Sequence, residues 1–188
     1  MRMPMLRLVL AATLALLATP VLAQDAADKV MALKRDIVQL QNESQLGIAN
    51  FTLCSKILSY GSYVPRPNAK LKQGESVLFY FEPTNWFTNE LDDRFSFYIT
   101  QDIIIEDDQG ATLFSKEKAL SFQMNTAKPI LDLYVQNDFS LNDAPPGKYI
   151  YKAVLHDELK NQSSTATMEF EVVGDEGKAP SKEAEKKR

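Results

Sequence analysis

Residues 145–173 read PPGKYIYKAVLHDELKNQSSTATMEFEVV, and they carry the strongest fold signal in the chain. Ala166, Met168, Phe170 and Val172 alternate with Thr165, Thr167, Glu169 and Glu171, the period-two pattern of a strand with one apolar and one wet face. A strand wet on one side belongs in an antiparallel sheet. The partner run 148–156 precedes it, and the polar residues Asp157 to Ser164 supply the reversal, so the spacing predicts a closing hairpin. Ahead of it, Pro145, Pro146 and Gly147 punctuate the chain. The order Leu141, Pro146, Gly147, Tyr149 fits a corner in which the Tyr149 hydroxyl folds back onto the preceding connection.

Working back from this hairpin, aromatic and β-branched runs predict further strands at about 51–59, 75–83, 95–106, 111–122 and 131–138. Val77, Phe79 and Phe81 share one face of the second run. Phe95, Phe97, Ile99, Ile103 and Ile105 share one face of the third, where Gln101 is a polar break that marks a bulge or bend. No crossover helices separate the runs, which points to a two-sheet sandwich rather than a parallel sheet. The expectation is a mainly β domain over 50–173, an Ig-like antiparallel two-sheet β-sandwich of about seven strands, with a closed barrel as the structural alternative.

The flanks read differently. Residues 1–23 combine Arg2 and Arg7, an apolar run from Leu8 to Ala18, and Val21-Leu22-Ala23 after Pro20, the pattern of a cleaved signal peptide. The apolar run is shorter than the ~20 residues that cross a bilayer. The leader is bacterial in style, so the expected localisation is periplasmic or secreted, with no membrane span after cleavage. Residues 25–47 predict a short amphipathic helix, with Val30, Leu33, Ile37 and Leu40 at 3-4-3 spacing and Gly47 as its stop. Two heptads fall short of an independent coiled coil, although self-association through 25–46 is open. Residues 174–188 are polar and charged without a large apolar side chain, the composition of a disordered tail.

Composition narrows the function classes. The net charge of −4 gives no basic surface for nucleic acid. The lone histidine, His156, lacks a G-x-S-x-G turn to serve, and reads as a half-exposed residue at a strand end. The lone cysteine, Cys54, cannot form an internal disulfide and reads as buried and inert. One of each donor is too few for zinc, and Asp92-Asp93 and Asp107-Asp108 match turn chemistry better than a calcium loop. Among seven glycines there is no phosphate-cradling motif. The expectation is therefore no enzyme, no metal and no cofactor.

What remains is recognition. Two loops carry aromatics among prolines: 60–67, with Tyr60, Tyr63 and Arg66, and 84–88, with Trp86 and Phe87. Aromatics and arginine dominate interface hot spots. These five are the expected partner-binding residues, for a protein or glycan of the cell envelope, provided both loops fall at one end of the sandwich. A buried Trp86 plugging that end is the competing reading. The alternative function is a structural or assembly component of an envelope complex, acting through the helix or an unpaired strand edge.

The succession of Cys54, Gly61-Ser62-Tyr63, Gly74 to Val77, and Pro146-Gly147-Lys148-Tyr149 resembles secreted bacterial proteins with an Ig-like β-sandwich. There a Cys, a Gly-x-Tyr loop, a Gly-x-x-Val strand and a closing Pro-Gly-x-Tyr hairpin recur in this order. The resemblance spans about 50–173 and implies the sandwich fold. It carries no catalytic residues.

Overall fold

The computed structural model describes residues 19–142 and 144–174. The bulk of the predicted leader and nearly all of the charged tail, residues 1–18 and 175–188, lie outside the described residues. Among the described residues one helix, α1 (Thr19–Glu43), precedes ten strands in two sheets, so the chain is mainly β. The four-stranded sheet runs β2 (Ser62–Pro65), β1 (Gly47–Ser59), β4 (Ser76–Thr84), β8 (Val135–Ser140), antiparallel throughout. The second sheet runs β3 (Lys70–Lys72), β10 (Gln162–Val173), β9 (Gly147–Asp157), β6 (Arg94–Asp107). Along β6, β9 and then β5 (Asn89–Leu91) occupy one side, while β7 (Thr112–Thr126) takes the other.

All seven expected runs form strands, and three short strands were missed. β2, β3 and β5 are only three or four residues long and interrupt what reads as loop. β3 pairs parallel with β10, because the chain leaves β2 in one sheet and enters β3 at the edge of the other. Short edge pieces carry too few residues for a periodic pattern. The helix stops at Glu43, four residues before Gly47, which instead opens β1.

The core lies between the sheets. Val77, Phe79 and Phe81 of β4 meet Tyr151, Ala153 and Leu155 of β9, Phe97 and Ile99 of β6, and Phe170 and Val172 of β10. The rings of Phe79 and Tyr151 stack 4.0 Å apart across the interface. The polar break in β6 is a register shift, as its sequence suggests, between Gln101 and Ile103. Gln101 is nonetheless buried. Its amide donates to Asn137 Oδ1 (2.8 Å) and Tyr151 OH (3.1 Å), Tyr151 OH donates to Asn137 Oδ1, and Asn137 returns a bond to Gln101 Oε1. A buried polar group without a partner costs about 1–3 kcal/mol, so these three satisfy one another across the two sheets.

The closing hairpin forms with β9 and β10 in continuous register from Gly147↔Val172 to Asp157↔Gln162. The Tyr149 hydroxyl donates to the Pro145 carbonyl at 2.6 Å, making the expected corner.

Candidate interaction site

Of the five expected partner-binding residues, the structure brings two together and removes the rest. Trp86 is 1% exposed and sits in the core against Phe97, with ring centroids 5.7 Å apart. Phe87 is half-buried, and its backbone N–H donates to Asp157 Oδ2 at 2.6 Å. Buried Asp157 also accepts from the N–H groups of Leu159 and Lys160, locking the 84–88 loop to the β9–β10 turn. Arg66 is committed to structure, donating from Nη1 to Glu75 Oε1 at 2.6 Å. The two loops therefore do not form one aromatic patch. Trp86 points into the core, whereas the 60–63 turn lies over the outer face of the four-stranded sheet.

On that outer face four tyrosines gather. Two register shifts bend the β1–β2 hairpin, and Gly61, with φ at 63°, makes its tight turn. The Gly61 N–H donates to the Tyr80 hydroxyl at 2.8 Å, pinning the turn to the sheet. The Tyr63 ring lies 4.2 Å from that of Tyr80, and Tyr134 stacks on Tyr80 at 5.7 Å. Tyr60, at the turn, is 45% exposed.

Carboxylates complete the cluster. The Tyr80 hydroxyl donates to Glu82 Oε1 at 2.5 Å, and Asn50 Nδ2 donates to Glu82 Oε2 at 2.7 Å. Asn50 reaches Glu82 because it occupies a bulge in β1 with φ at 53°, a conformation asparagine tolerates. Burial raises the Tyr60 hydroxyl pKa above its ordinary value, and the nearby carboxylates of Glu82 and Asp132 raise it further. Tyr80 is pushed up too, by burial and then by Glu82. Among the described residues neither Glu82 nor Asp132 has an ion-pair partner. The sequence reading missed Tyr80, Glu82, Asp132 and Tyr134. The alternation in β4, with Tyr80 and Glu82 opposite the core residues, was the signal available for those two.

The helix offers a second surface. Its expected apolar stripe does not face the domain: Val30, Leu33, Ile37 and Leu40 are 53%, 62%, 42% and 65% exposed. The domain instead holds the opposite side through Val38, which is buried, and through polar contacts. Arg35 donates to Glu90 and Asp93, and Asn42 exchanges bonds with Thr88. The Lys160 ammonium donates to the Asn42 carbonyl near the C-terminus, where a cation suits the helix dipole.

A third feature is a cavity of about 430 Å³ between the unpaired edges of β7 and β8. Ile103, Ile105, Phe114 and Leu120 wall one side, and the consecutive residues Gln136 to Ser140 border the other. Five consecutive strand residues at one cavity present the backbone edge, since side chains alternate between faces.

The lone thiol and imidazole lie in different sheets. Cys54 is buried in β1, and burial raises its pKa. His156 in β9 is half-exposed, 2.8 Å from Asp102 Oδ2. Asp107 Oδ1 accepts from the N–H groups of Gln109 and Ala111, which accounts for that acidic turn, and Asp93 pairs with Arg35. Among the described residues no three His, Cys, Asp or Glu side chains converge on a metal position. Nor is any described helix long and apolar enough to cross a membrane.

Neither a protein family nor a curated relative matches the sequence. Several solved structures are similar in part, two of them as follows. One is the alkylpurine DNA glycosylase AlkC of Pseudomonas fluorescens bound to DNA containing an abasic site analogue, at 12% identity and a TM-score of 0.40. It covers 69% of this chain and 30% of its own. The other is a family 123 glycoside hydrolase from Clostridium perfringens, at 12% identity and a TM-score of 0.46, covering 70% of this chain and 28% of its own. Both are enzymes, so the expectation that the chain is not one finds no support in them. This chain spans less than a third of either, and at such TM-scores neither activity is carried across.

Proposed function

We propose that this chain is an interaction module of a bacterial envelope, exported by a leader at 1–23 and built on an Ig-like sandwich akin to those of secreted bacterial proteins. One observation carries the reading: α1 turns four large apolar side chains to solvent while its other side is fixed to the domain. Val30 and Ile37, seven residues apart, share the a position of successive heptads, and Leu33 and Leu40 share the d position. β-Branched residues at a and leucine at d are the combination that favours two-stranded parallel coiled coils. A second copy supplies that partner helix. Two heptads alone are marginal in water, but α1 is already ordered by the domain, which lowers the entropy cost of pairing.

Light scattering across a concentration series tests this with the chain from residue 24 onward. A dimer that becomes monomeric in Leu33→Glu/Leu40→Glu supports self-assembly. The variant's thermal unfolding should match the parent monomer's, because both side chains point to solvent. A parent that stays monomeric at every concentration removes the proposal.

The Tyr60 turn favours a second reading, contact with an envelope partner through 60–63, with Tyr60 and Tyr63 as the recognition residues. Capture of a crosslinked partner that is lost in Tyr60→Ala/Tyr63→Ala supports it. Capture that is unchanged rejects it.

A further inference from the structure

We propose that the cavity between β7 and β8 receives an extended segment of a partner protein as a fifth strand of the four-stranded sheet. The segment carries an apolar, an acidic and an apolar side chain at alternate positions. The two layers are unequal in width: one ends at β8, while the other runs on through β6 to β7. Cross-strand pairs share a face, so Phe114, Lys116 and Leu120 stand on the same side as Ile105, Ile103 and Gln101, which face the core. Phe114 is nonetheless 47% exposed, because the opposing sheet stops at β8. One more strand beside β8 would cover it.

The backbone of β8 decides what fits. The Leu141 N–H donates to the Glu75 carbonyl, and bonding alternates along an antiparallel strand. Phe139 and Asn137 therefore turn their N–H and C=O toward β4, and Ser140, Asp138 and Gln136 turn theirs out to the cavity. Among the described residues those outward groups have no backbone partner. An alternating row of donors and acceptors is bonded in full by another extended backbone. The other edges are blunted: β2, β3 and β5 have three or four residues, and β7 carries Lys116-Glu117-Lys118 with a bulge where Lys118 has φ at 46°. β8 keeps continuous register and contains neither lysine nor proline.

The occupant is a free segment rather than the edge of a second copy. A folded edge already has its inward side chains in its own core, whereas this cavity takes a strand's backbone and inward face together. Residues 174–188 of the chain itself lack a large apolar side chain, so they do not supply it. Leu120, Lys116 and Phe114 stand opposite Gln101, Ile103 and Ile105, two residues apart along β6, which sets the alternate spacing. Lys116 lines the cavity, and among the described residues no carboxylate pairs with it. Asp138, the carboxylate at the cavity, stands on the outer face with Leu78. The inward acidic side chain of the segment therefore meets Lys116.

The probe is the peptide acetyl-TITETIT-amide, added to the isotope-labelled chain from residue 24 onward. Amide resonances of Gln136, Asp138 and Ser140 should shift saturably. In antiparallel docking the threonine amides face β8, so N-methylating them should abolish binding, while N-methylating the isoleucine and glutamate amides spares it. Lys116→Glu should weaken binding by about tenfold, and acetyl-TITKTIT-amide should recover it on that variant. Asp138→Pro strips only an outward N–H, a change tolerated at a sheet edge, and should abolish binding while thermal unfolding stays close to the parent's. No saturable shift, equal effects of the two methylation patterns, or indifference to Lys116→Glu overturns the proposal. So does exchange protection of the β8 amides that rises with protein concentration alone, which would mean that a second copy covers the edge. The Leu33→Glu/Leu40→Glu chain should bind the peptide as the parent does, which separates this site from helix pairing.

Discussion

The outer faces of the two sheets are built to opposite plans. On the six-stranded sheet several carboxylates meet a cation in place, Glu106 with Lys152, Glu158 with Lys118 and Glu171 with Lys70, and Asp102 meets the His156 imidazole. Thr100 adds a hydrogen bond to Glu158, and this bond, followed by Lys118, holds the Glu158 carboxyl below its usual pKa. On the four-stranded sheet the same kind of surface is roofed by stacked tyrosines, and Glu82 is met by neutral donors. Ion pairs make the first face self-sufficient. The second buries one ring completely and satisfies its buried carboxylate with uncharged donors.

The comparison breaks most visibly at Tyr80. Its ring is fully buried beneath Tyr63 and Tyr134, so Tyr80→Ala should cost about 3–5 kcal/mol in denaturant unfolding, as for other buried aromatic truncations. Tyr80→Phe keeps the packing and strips only the bonds to Gly61 and Glu82, at about 1–2 kcal/mol. If the two variants are equally damaging, the hydroxyl network rather than the stack supports this face.

A middle-sized effect belongs to Glu75. It accepts from the Lys72 N–H and from Arg66, and these bonds, the backbone one first, hold its pKa below the ordinary 4.5. A carboxylate with a depressed folded pKa contributes stability that is complete above the unfolded value and is lost as pH falls through the folded one. Glu75→Gln should therefore cost about 1 kcal/mol near neutrality, and the gap to the parent should close in acid. A gap that persists below the unfolded pKa would show that the cost is steric.

The smallest effect is expected on the self-sufficient face. His156→Ala removes a partly solvated pair and should change stability by less than about 1 kcal/mol. A larger loss would mean that the ion pairs there hold the sheet together rather than merely balancing it.

How much of this was legible beforehand follows from periodicity. The long strands showed themselves because alternation survives over eight or more residues, and Tyr149 declared its corner through its neighbours. Helix α1 was legible as a helix and misleading as a surface, since its stripe says which side is apolar and not whether the domain covers it. Trp86 fooled the loop reading because aromatic residues among prolines look the same whether they face the core or the solvent. Tyr80 and Glu82 became visible only once the Gly61 turn was known to fold onto them, a contact between residues 19 apart along the chain.

Gln101, Asn137 and Tyr151 fix more than their own hydrogen bonds. They join an edge strand of one sheet to two inner strands of the other, in a fully satisfied ring of three. Slide the sheets by a single residue and every member loses its mate at about 1–3 kcal/mol apiece, a cost comparable to the whole stability of many small domains. The apolar core around them would forgive such a slip far more readily. The trio works as a key in a lock: it adds little to how tightly the two layers hold, and it decides the one alignment in which they close.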